Sequence, residues 1–204
     1  GFSSKPDNVE YSMDYFNGKL IEFADALELN QFSLIGNSLG GALSLGLSLN
    51  KPERIKKLIL MGSGGIEDME TYNSMPGIQK LLSDFLGGEM NQEKIEGLLK
   101  LFPYDSSIIT DEMIEDRMQI LPLMNPQVLA SMKIPNLEDD LGKITHPMLV
   151  FWGMDDKFCP VSGASKIGQK CHDAQIILFS RCGHWVMIER EEIFNQTCID
   201  FLNR

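Results

Sequence analysis

The sequence predicts an α/β protein whose sheet is mostly parallel. Two short apolar segments, 32–36 and 57–63, flank a helix of small residues that stops at Lys51-Pro52, which is a strand–helix–strand pattern. A similar pattern follows between residues 147 and 202, where the strands 147–153 and 174–180 alternate with helices. Because strands joined by a helix run parallel, we expect both patterns to contribute to one sheet.

The segment between these two patterns, residues 66–131, has a different character. It is rich in methionine and contains amphipathic helical periods over residues 77–87, 92–102 and 111–121. We therefore divide the chain into a core, residues 1–65 and 132–204, and an inserted helical lid, residues 66–131. A further helix is predicted over residues 13–29, ahead of the first strand.

Composition excludes several classes of partner. The chain has 204 residues, of which 43% are hydrophobic, and this fits one globular domain with an insertion. A formal net charge of −11 argues against nucleic acid or an anionic membrane as a partner, because both require a basic surface. Four cysteines without a C-x-x-C pair and three histidines give no zinc-like spacing, so no metal site is predicted. Reduced thiols indicate a cytoplasmic location.

The motif Gly36-Asn37-Ser38-Leu39-Gly40 lies where the first strand passes into the helix of small residues. In a G-x-S-x-G turn at this place, the serine is held in a strained conformation that exposes its hydroxyl at the carboxyl edge of the sheet. Ser38 is therefore the predicted nucleophile, and the backbone N–H of Leu39 is a predicted donor to the oxyanion hole. The alternative is a glycine-rich turn that only packs a helix on a sheet.

A serine nucleophile requires a base, and His184 lies on the loop between the last strand and the closing helix. This position fits the chain order Ser, Asp, His, whereas His146 and His172 are interpreted as surface residues. Asp155 and Asp156 follow the preceding strand. We choose Asp156, because in hydrolases of this order the acid usually comes three residues after the glycine of a W-G-x-x-D turn. Its carboxylate would orient the imidazole of His184.

Arg117 occupies an unusual position in the predicted helix 111–121. The residues three and four positions away from it are all apolar, so the cation lies on the face that should turn toward the interior. Such a cation would provide the positive potential that an anionic ligand needs in an acidic protein. The alternative is an arginine that extends to solvent past its apolar neighbours, or one that pairs with Asp111 or Glu112 of a neighbouring element.

With these residues placed, the chain resembles the α/β-hydrolases and, among them, the meta-cleavage product hydrolases. The resemblance covers nearly the whole chain and rests on the segments GNSLGG, LILMGSGG, DSSIITDEMIEDRM, WGMDDKF and CGHWVMIEREEIFN. Enzymes of that family hydrolyse a carbon–carbon bond in 2-hydroxy-6-oxo-hexa-2,4-dienoates made by ring-opening dioxygenases. The resemblance implies this activity on a small-molecule substrate, without a cofactor, in a homo-oligomer that is a dimer or tetramer.

The resemblance also implies which residues bind the substrate. In the family, an asparagine before the nucleophile, a lid arginine and a tryptophan after the histidine line the subsite for the dienoate end of the substrate. The matching residues here are Asn37, Arg117 and Trp185. Chemistry agrees with the resemblance, since a guanidinium offers a carboxylate two parallel donors.

The sequence differs from the family in the segment before the predicted nucleophile. The fold normally has about four strands before it, whereas one helix and one strand precede Ser38 here. We therefore expect that the N-terminal strands of the fold are missing from this sequence, and with them the second donor of the oxyanion hole.

Several alternatives stay open from sequence alone. A carboxylesterase with the same triad would cleave p-nitrophenyl esters and leave dienoates intact. A ligand-binding receptor of this fold would keep its function after Ser38→Ala. The sequence decides neither the substituent on the substrate ketone nor the choice between an acyl-enzyme and a water-derived gem-diol.

Overall fold

A computed structural model describes residues 2–124, 128 and 131–204. Its centre is a four-stranded sheet in the order β1-β2-β3-β4. The strands are β1 (Phe32–Asn37), β2 (Ile55–Met61), β3 (Met148–Gly153) and β4 (Ala174–Phe179), and each pairs in parallel with its neighbour. The carboxyl ends of all the strands therefore lie on one edge, where α/β proteins bind their ligands. The predicted α/β class with a mostly parallel sheet is confirmed.

The two inner strands explain why this sheet needs helices on both faces. On β2, Leu58 and Leu60 pack into one core, whereas Ile59 and Met61 pack into another on the opposite face. The residues of β3 are all buried and alternate in the same way. Continuous apolar runs of this kind are typical of parallel strands that are covered on both sides.

Helices lie on both faces of the sheet and between β2 and β3. In chain order they are α1 (Met13–Ala26), α2 (Leu39–Asn50), α3 (Met69–Ser74), α4 (Pro76–Leu86), α5 (Gln92–Leu99), α6 (Asp111–Ile120), α7 (Ser162–Lys170), α8 (Val186–Glu189) and α9 (Glu191–Leu202). α2 and α7 cover one face, α8 and α9 cover the other, and α1 packs against α2. Among the described residues, no helix combines the length and the apolar character needed to span a bilayer.

The predicted lid contributes α3 to α6. A third apolar cluster joins Ile95 and Leu99 of α5 and Ile114 of α6 to Trp185, which lies at the carboxyl edge of the sheet. These helices are therefore anchored directly beside the loop that carries the predicted base. The exact bounds 66–131 stay a prediction, and residues 125–127, 129 and 130 of this segment lie outside the described residues.

Several element bounds differ from the sequence prediction, and one helix is additional. The first helix ends at Ala26 rather than at residue 29, because the chain turns through Glu28 with φ 56°. β2 begins at residue 55 and ends at Met61, because Gly62 has φ +45° and leaves the extended conformation. The short helix α3 was not predicted as a separate element; the side chain of Asp68 caps it by accepting the N–H of Thr71 at 2.7 Å.

Candidate active site

The turn between β1 and α2 holds Ser38 in a strained conformation. Its φ of 56° and ψ of −116° lie in a region that a residue with a side chain rarely adopts. The backbone around it is fixed, since the Ser38 N–H donates to the carbonyl of Met61 at 3.0 Å and the Ser38 carbonyl accepts from Gly64 at 2.9 Å. A Cβ on Gly36 would lie 2.7 Å from the nitrogen of Gly41, so the turn requires glycine there. This geometry fits a nucleophile elbow.

Asp156 and His184 form a buried pair on the loops after β3 and β4. The His184 Nδ1 and the Asp156 Oδ2 are 2.7 Å apart, and each side chain is 1% exposed. The other oxygen of Asp156 accepts the N–H groups of Phe158 at 2.8 Å and Cys159 at 2.9 Å. A carboxylate facing Nδ1 keeps the hydrogen on that nitrogen, so Nε2 is left as the base. Asp155 is exposed, which agrees with the choice of its neighbour.

The loop of His184 is held from two directions. Its N–H donates to the carbonyl of Phe102 at 2.7 Å, and its carbonyl accepts from the side-chain nitrogen of Asn37 at 3.2 Å. The same nitrogen donates to the carbonyl of Met61 at 3.1 Å. The residue before the nucleophile thus links the ends of β1 and β2 to the histidine loop. The substrate-binding role of Asn37 stays a prediction, since both amide hydrogens are committed to backbone carbonyls and Asn37 lines neither cavity described below.

Gly62 makes the close packing of the His184–Asp156 pair possible. A Cβ added to Gly62 would lie 2.7 Å from the Asp156 Oδ2 and 2.9 Å from the His184 Nδ1. Its φ of +45° is also a value that disfavours residues with side chains. Gly62 was not predicted from the sequence as part of the site. Its place directly after β2, at the edge that carries the motif serine, is the signal that could have indicated it.

Aromatic rings pack around the histidine. Phe102 stacks on Trp185 with ring centroids 4.5 Å apart and on Phe158 with centroids 4.1 Å apart. The ring of Phe158 lies 5.1 Å from that of His184. Phe158 was not predicted as a site residue, although it follows the predicted acid by two positions in "DDKF". These rings restrict the imidazole and exclude water from its apolar side.

Two adjoining cavities open at this edge of the sheet. The first, here called the serine cavity, has a volume of about 490 Å³ and is lined by Ser38, Leu39 and Cys159 among others. The second, here called the arginine cavity, has a volume of about 400 Å³ and is lined by Arg117, Trp185 and apolar side chains. Both cavities are lined by the same two residues at their boundary, Leu81 and Met132. Ser38 and two of the three predicted substrate-binding residues, Arg117 and Trp185, therefore face neighbouring spaces.

Arg117 lies on the edge of the apolar face of α6. Ile114 is buried and Met113, Met118 and Leu121 pack against the cluster that contains Trp185, whereas Arg117 itself is exposed. Within the described part of the chain its guanidinium forms no ion pair, so neither Asp111 nor Glu112 neutralises it. A solvent-accessible, unpaired cation that lines an apolar cavity is available to an anionic ligand.

Two titratable groups of the serine cavity, Cys159 and Tyr72, are uncharged at neutral pH. Burial, together with the neighbouring Asp156 carboxylate, raises the pKa of the Cys159 thiol well above its ordinary value. Burial also raises the pKa of Tyr72 to about 12, while its hydroxyl accepts the N–H groups of Ile66 and Glu67. The Cys159 thiol is therefore a poor nucleophile, and Ser38 stays the predicted nucleophile.

Comparison with known proteins identifies the family of this chain. The family model described as serine aminopeptidase S33 matches residues 12–191. A 2-hydroxy-6-oxo-6-phenylhexa-2,4-dienoate hydrolase from Burkholderia cepacia is 38% identical over 189 residues, which are 87% of this chain and 65% of that protein. A 2-hydroxy-6-oxononadienedioate/2-hydroxy-6-oxononatrienedioate hydrolase from Comamonas testosteroni is 38% identical over 188 residues, with the same coverage, 87% and 65%. The chain thus spans slightly less than two thirds of the length of these relatives.

A solved structure gives the same picture. A meta-cleavage product hydrolase from Pseudomonas fluorescens IP01 superposes with a TM-score of 0.84 at 28% identity, and the match covers 100% of this chain and 76% of that one. Sequence and structure therefore agree on the family. This chain belongs to the α/β-hydrolase superfamily and, within it, to the meta-cleavage product hydrolases.

Proposed function

We propose that this protein hydrolyses a carbon–carbon bond in 2-hydroxy-6-oxo-hexa-2,4-dienoates, the ring-cleavage products of aromatic degradation. The observation that carries the proposal is the pair of adjoining cavities, one lined by Ser38 and the other by Arg117 and Trp185. A dienoate has a carboxylate at one end and a ketone at the other, so the carboxylate can lie against the guanidinium while the ketone approaches the serine. The relatives named above carry this activity in their names.

The first stage of the proposed reaction converts the dienol into its keto tautomer. The 2-hydroxyl loses its proton, C5 gains one, and the carbon–carbon bond to be broken becomes activated by the new keto group. Arg117 and Trp185 hold the acidic end of the substrate during this step, because the arginine cavity is otherwise apolar. Asn37 contributes by keeping the histidine loop against the ends of β1 and β2.

The second stage breaks the bond. His184, oriented by Asp156, accepts the Ser38 proton as the serine oxygen attacks the C6 ketone, and the N–H of Leu39 donates to the developing oxyanion. The C5–C6 bond then breaks, and its electron pair moves into the keto acid as a dienolate, which takes a proton. Water finally releases the acyl group as a carboxylic acid and restores Ser38. These steps use side chains and water only and call for no cofactor.

The second candidate is a carboxylesterase that uses the same three residues. The exposure of Arg117 is the observation that favours it, since an ester substrate has no carboxylate that needs this cation. The two functions can be distinguished by their substrates. Only dienoate hydrolysis breaks a carbon–carbon bond, so only this reaction depends on a keto group that stabilises a carbon leaving group.

The discriminating experiment compares two chromogenic substrates with one preparation of the protein. We expect bleaching of a yellow 6-phenyl dienoate with a kcat/KM at least about tenfold above that for p-nitrophenyl acetate. Rapid ester cleavage without bleaching of the dienoate would instead establish the esterase. The Ser38→Ala variant serves as the blank for both substrates, and it also excludes a contaminating hydrolase.

We also propose a cytoplasmic location and a homo-oligomeric state. All four cysteines are free thiols, which suits a reducing compartment. The homo-oligomer rests on the family resemblance, and sedimentation of the purified protein tests it.

A further inference from the structure

Sequence identity does not decide which ketone substituent the substrate carries. Two relatives at the same identity, 38%, have names that differ at this end of the molecule. One name specifies a phenyl group, and the other a dioate, which has a second carboxylate. If the first carboxylate lies in the arginine cavity, the ketone substituent must extend into the serine cavity. The charges of that cavity can therefore distinguish the two substrates.

The serine cavity contains acidic side chains and lacks a basic one. Glu67 and Asp68 both line it, and none of its described lining residues is lysine, arginine or histidine. The five residues between 124 and 131 that lie outside the described set are asparagine, proline, glutamine, leucine and alanine, so they carry no charge either. The rest of the wall includes the neutral Tyr72 and Cys159 and apolar side chains such as Ile78 and Ile134.

The cation that contacts Glu67, Lys166, is already paired with carboxylates. Lys166 on α7 contacts the Oε2 of Glu67 and also lies 2.8 Å from Glu138, which in turn binds Lys170 at 3.0 Å. The second oxygen of Glu67 accepts the hydroxyl of Ser162 at 2.6 Å. Lys166 therefore lies behind Glu67, and its charge is shared between two carboxylates. A carboxylate entering the serine cavity would meet Glu67 before it met the lysine.

Asp68 adds a second, exposed negative charge to the lining of the cavity. It caps α3, and the hydrogen bond from the Thr71 N–H holds the pKa of its carboxyl below the ordinary value. The group is thus fully ionised at neutral pH, and its position is fixed by the helix it caps. Solvent screens this exposed charge in part, so it acts together with Glu67 rather than alone.

We infer that the serine cavity selects an uncharged aryl or alkyl substituent on the ketone and that Glu67 and Asp68 disfavour a second carboxylate. The inference rests on the proposed function and deepens it. A cavity of about 490 Å³ has ample room for a phenyl ring, so the discrimination is one of charge and not of size.

The test compares kcat/KM for the 6-phenyl dienoate and for the nonadienedioate. We expect the phenyl substrate to be preferred by at least about tenfold at low ionic strength, because like charges brought together in a partly desolvated site repel. The preference should shrink as salt is added. Asp68→Asn and Glu67→Gln should each reduce the ratio several-fold; asparagine still caps α3, and glutamine still accepts from Ser162.

The matched control is Glu70→Gln, which removes an exposed acid from the first turn of the same helix without touching the cavity. Its ratio should equal that of the unmodified protein. Equal rates on both substrates, or a preference that neither variant nor salt changes, would overturn the inference and leave the proposed function standing. Turnover of neither dienoate would overturn the proposed function, and the inference with it.

Discussion

The loops after β3 and β4 and the helix α6 both carry predicted site residues, but they hold them in different ways. Asp156 and His184 are 1% exposed and are bonded to each other and to the surrounding backbone. Arg117 is exposed and lacks an ion pair within the described part of the chain. The groups proposed to move protons are thus held by the loops at the sheet edge, whereas the group proposed to bind the substrate lies on a helix and its charge is available to a ligand. This difference predicts how mutations in each region should act.

The largest effect is expected from Ser38→Ala. Removing the nucleophile should lower kcat at least about 10³-fold, because the acyl-transfer steps lose the group that attacks. Binding should survive, since Arg117 and Trp185 remain in the arginine cavity. The measurement is single-turnover bleaching of the 6-phenyl dienoate together with equilibrium binding of the same compound. A protein that acts as a receptor would show unchanged function in the variant.

Gly62→Ala should displace the Asp156–His184 pair at the sheet edge and leave the predicted lid unchanged. The added methyl group would enter the space beside the Asp156 Oδ2 and the His184 Nδ1, so the pair must separate. A displacement of about 1 Å in a catalytic group costs on the order of 100-fold in rate, and we expect a fall of this size in kcat with little change in KM. The control is Gly142→Ala, where the nearest atom to a Cβ is 3.6 Å away. Equal losses in both variants would indicate a general folding defect.

Arg117→Ala should weaken binding of the substrate carboxylate and leave the Asp156–His184 pair undisturbed. Loss of a charge-assisted pair with the carboxylate should lower kcat/KM for dienoates by about 10- to 100-fold. The rate on p-nitrophenyl acetate should stay the same, because that ester has no carboxylate to bind. Asp116→Ala is the matched control, since it changes the neighbouring exposed residue of the same helix. An equal loss on both substrates would assign Arg117 to the structure of the helix.

The difference between the sheet edge and α6 also explains which site residues could be predicted from the sequence. Ser38, Asp156 and His184 each follow a strand of a parallel sheet, and strand ends converge on one edge whatever the detailed packing, so local patterns were sufficient to place them. The apolar face of α6 was also predictable from its helical period, because that period depends on neighbouring residues alone.

Contacts between distant parts of the chain could not be predicted in this way. The bond from Asn37 to the carbonyl of His184 joins residues 147 positions apart, and no local pattern contains it. The ion pair between Glu67 and Lys166 is equally non-local. Both contacts depend on how the loops pack over the sheet edge, which is decided by tertiary structure. The exposure of Arg117 could not be predicted either, since a helical period shows on which side of the helix a residue lies and not how deeply its side chain is buried.

The smallest expected effect concerns stability at alkaline pH. It distinguishes the predicted lid from the C-terminal part of the core, because all four cysteines follow residue 147 and none lies in the predicted lid. Burial raises the pKa of Cys182 to about 12 and that of Cys198 to about 11. In the unfolded chain the pKa of a thiol is about 8.5. Stability is therefore unaffected below this pH and is lost as the pH rises toward 11, since only the unfolded chain releases these protons. Urea unfolding at about pH 8 and about pH 9.5 should show a fall on the order of 1 kcal/mol for each of these thiols, and the fall in Cys182→Ala should be smaller than the fall in the unmodified protein by about this amount. A fall in Cys182→Ala that equals the fall in the unmodified protein would place the alkaline instability elsewhere in the molecule.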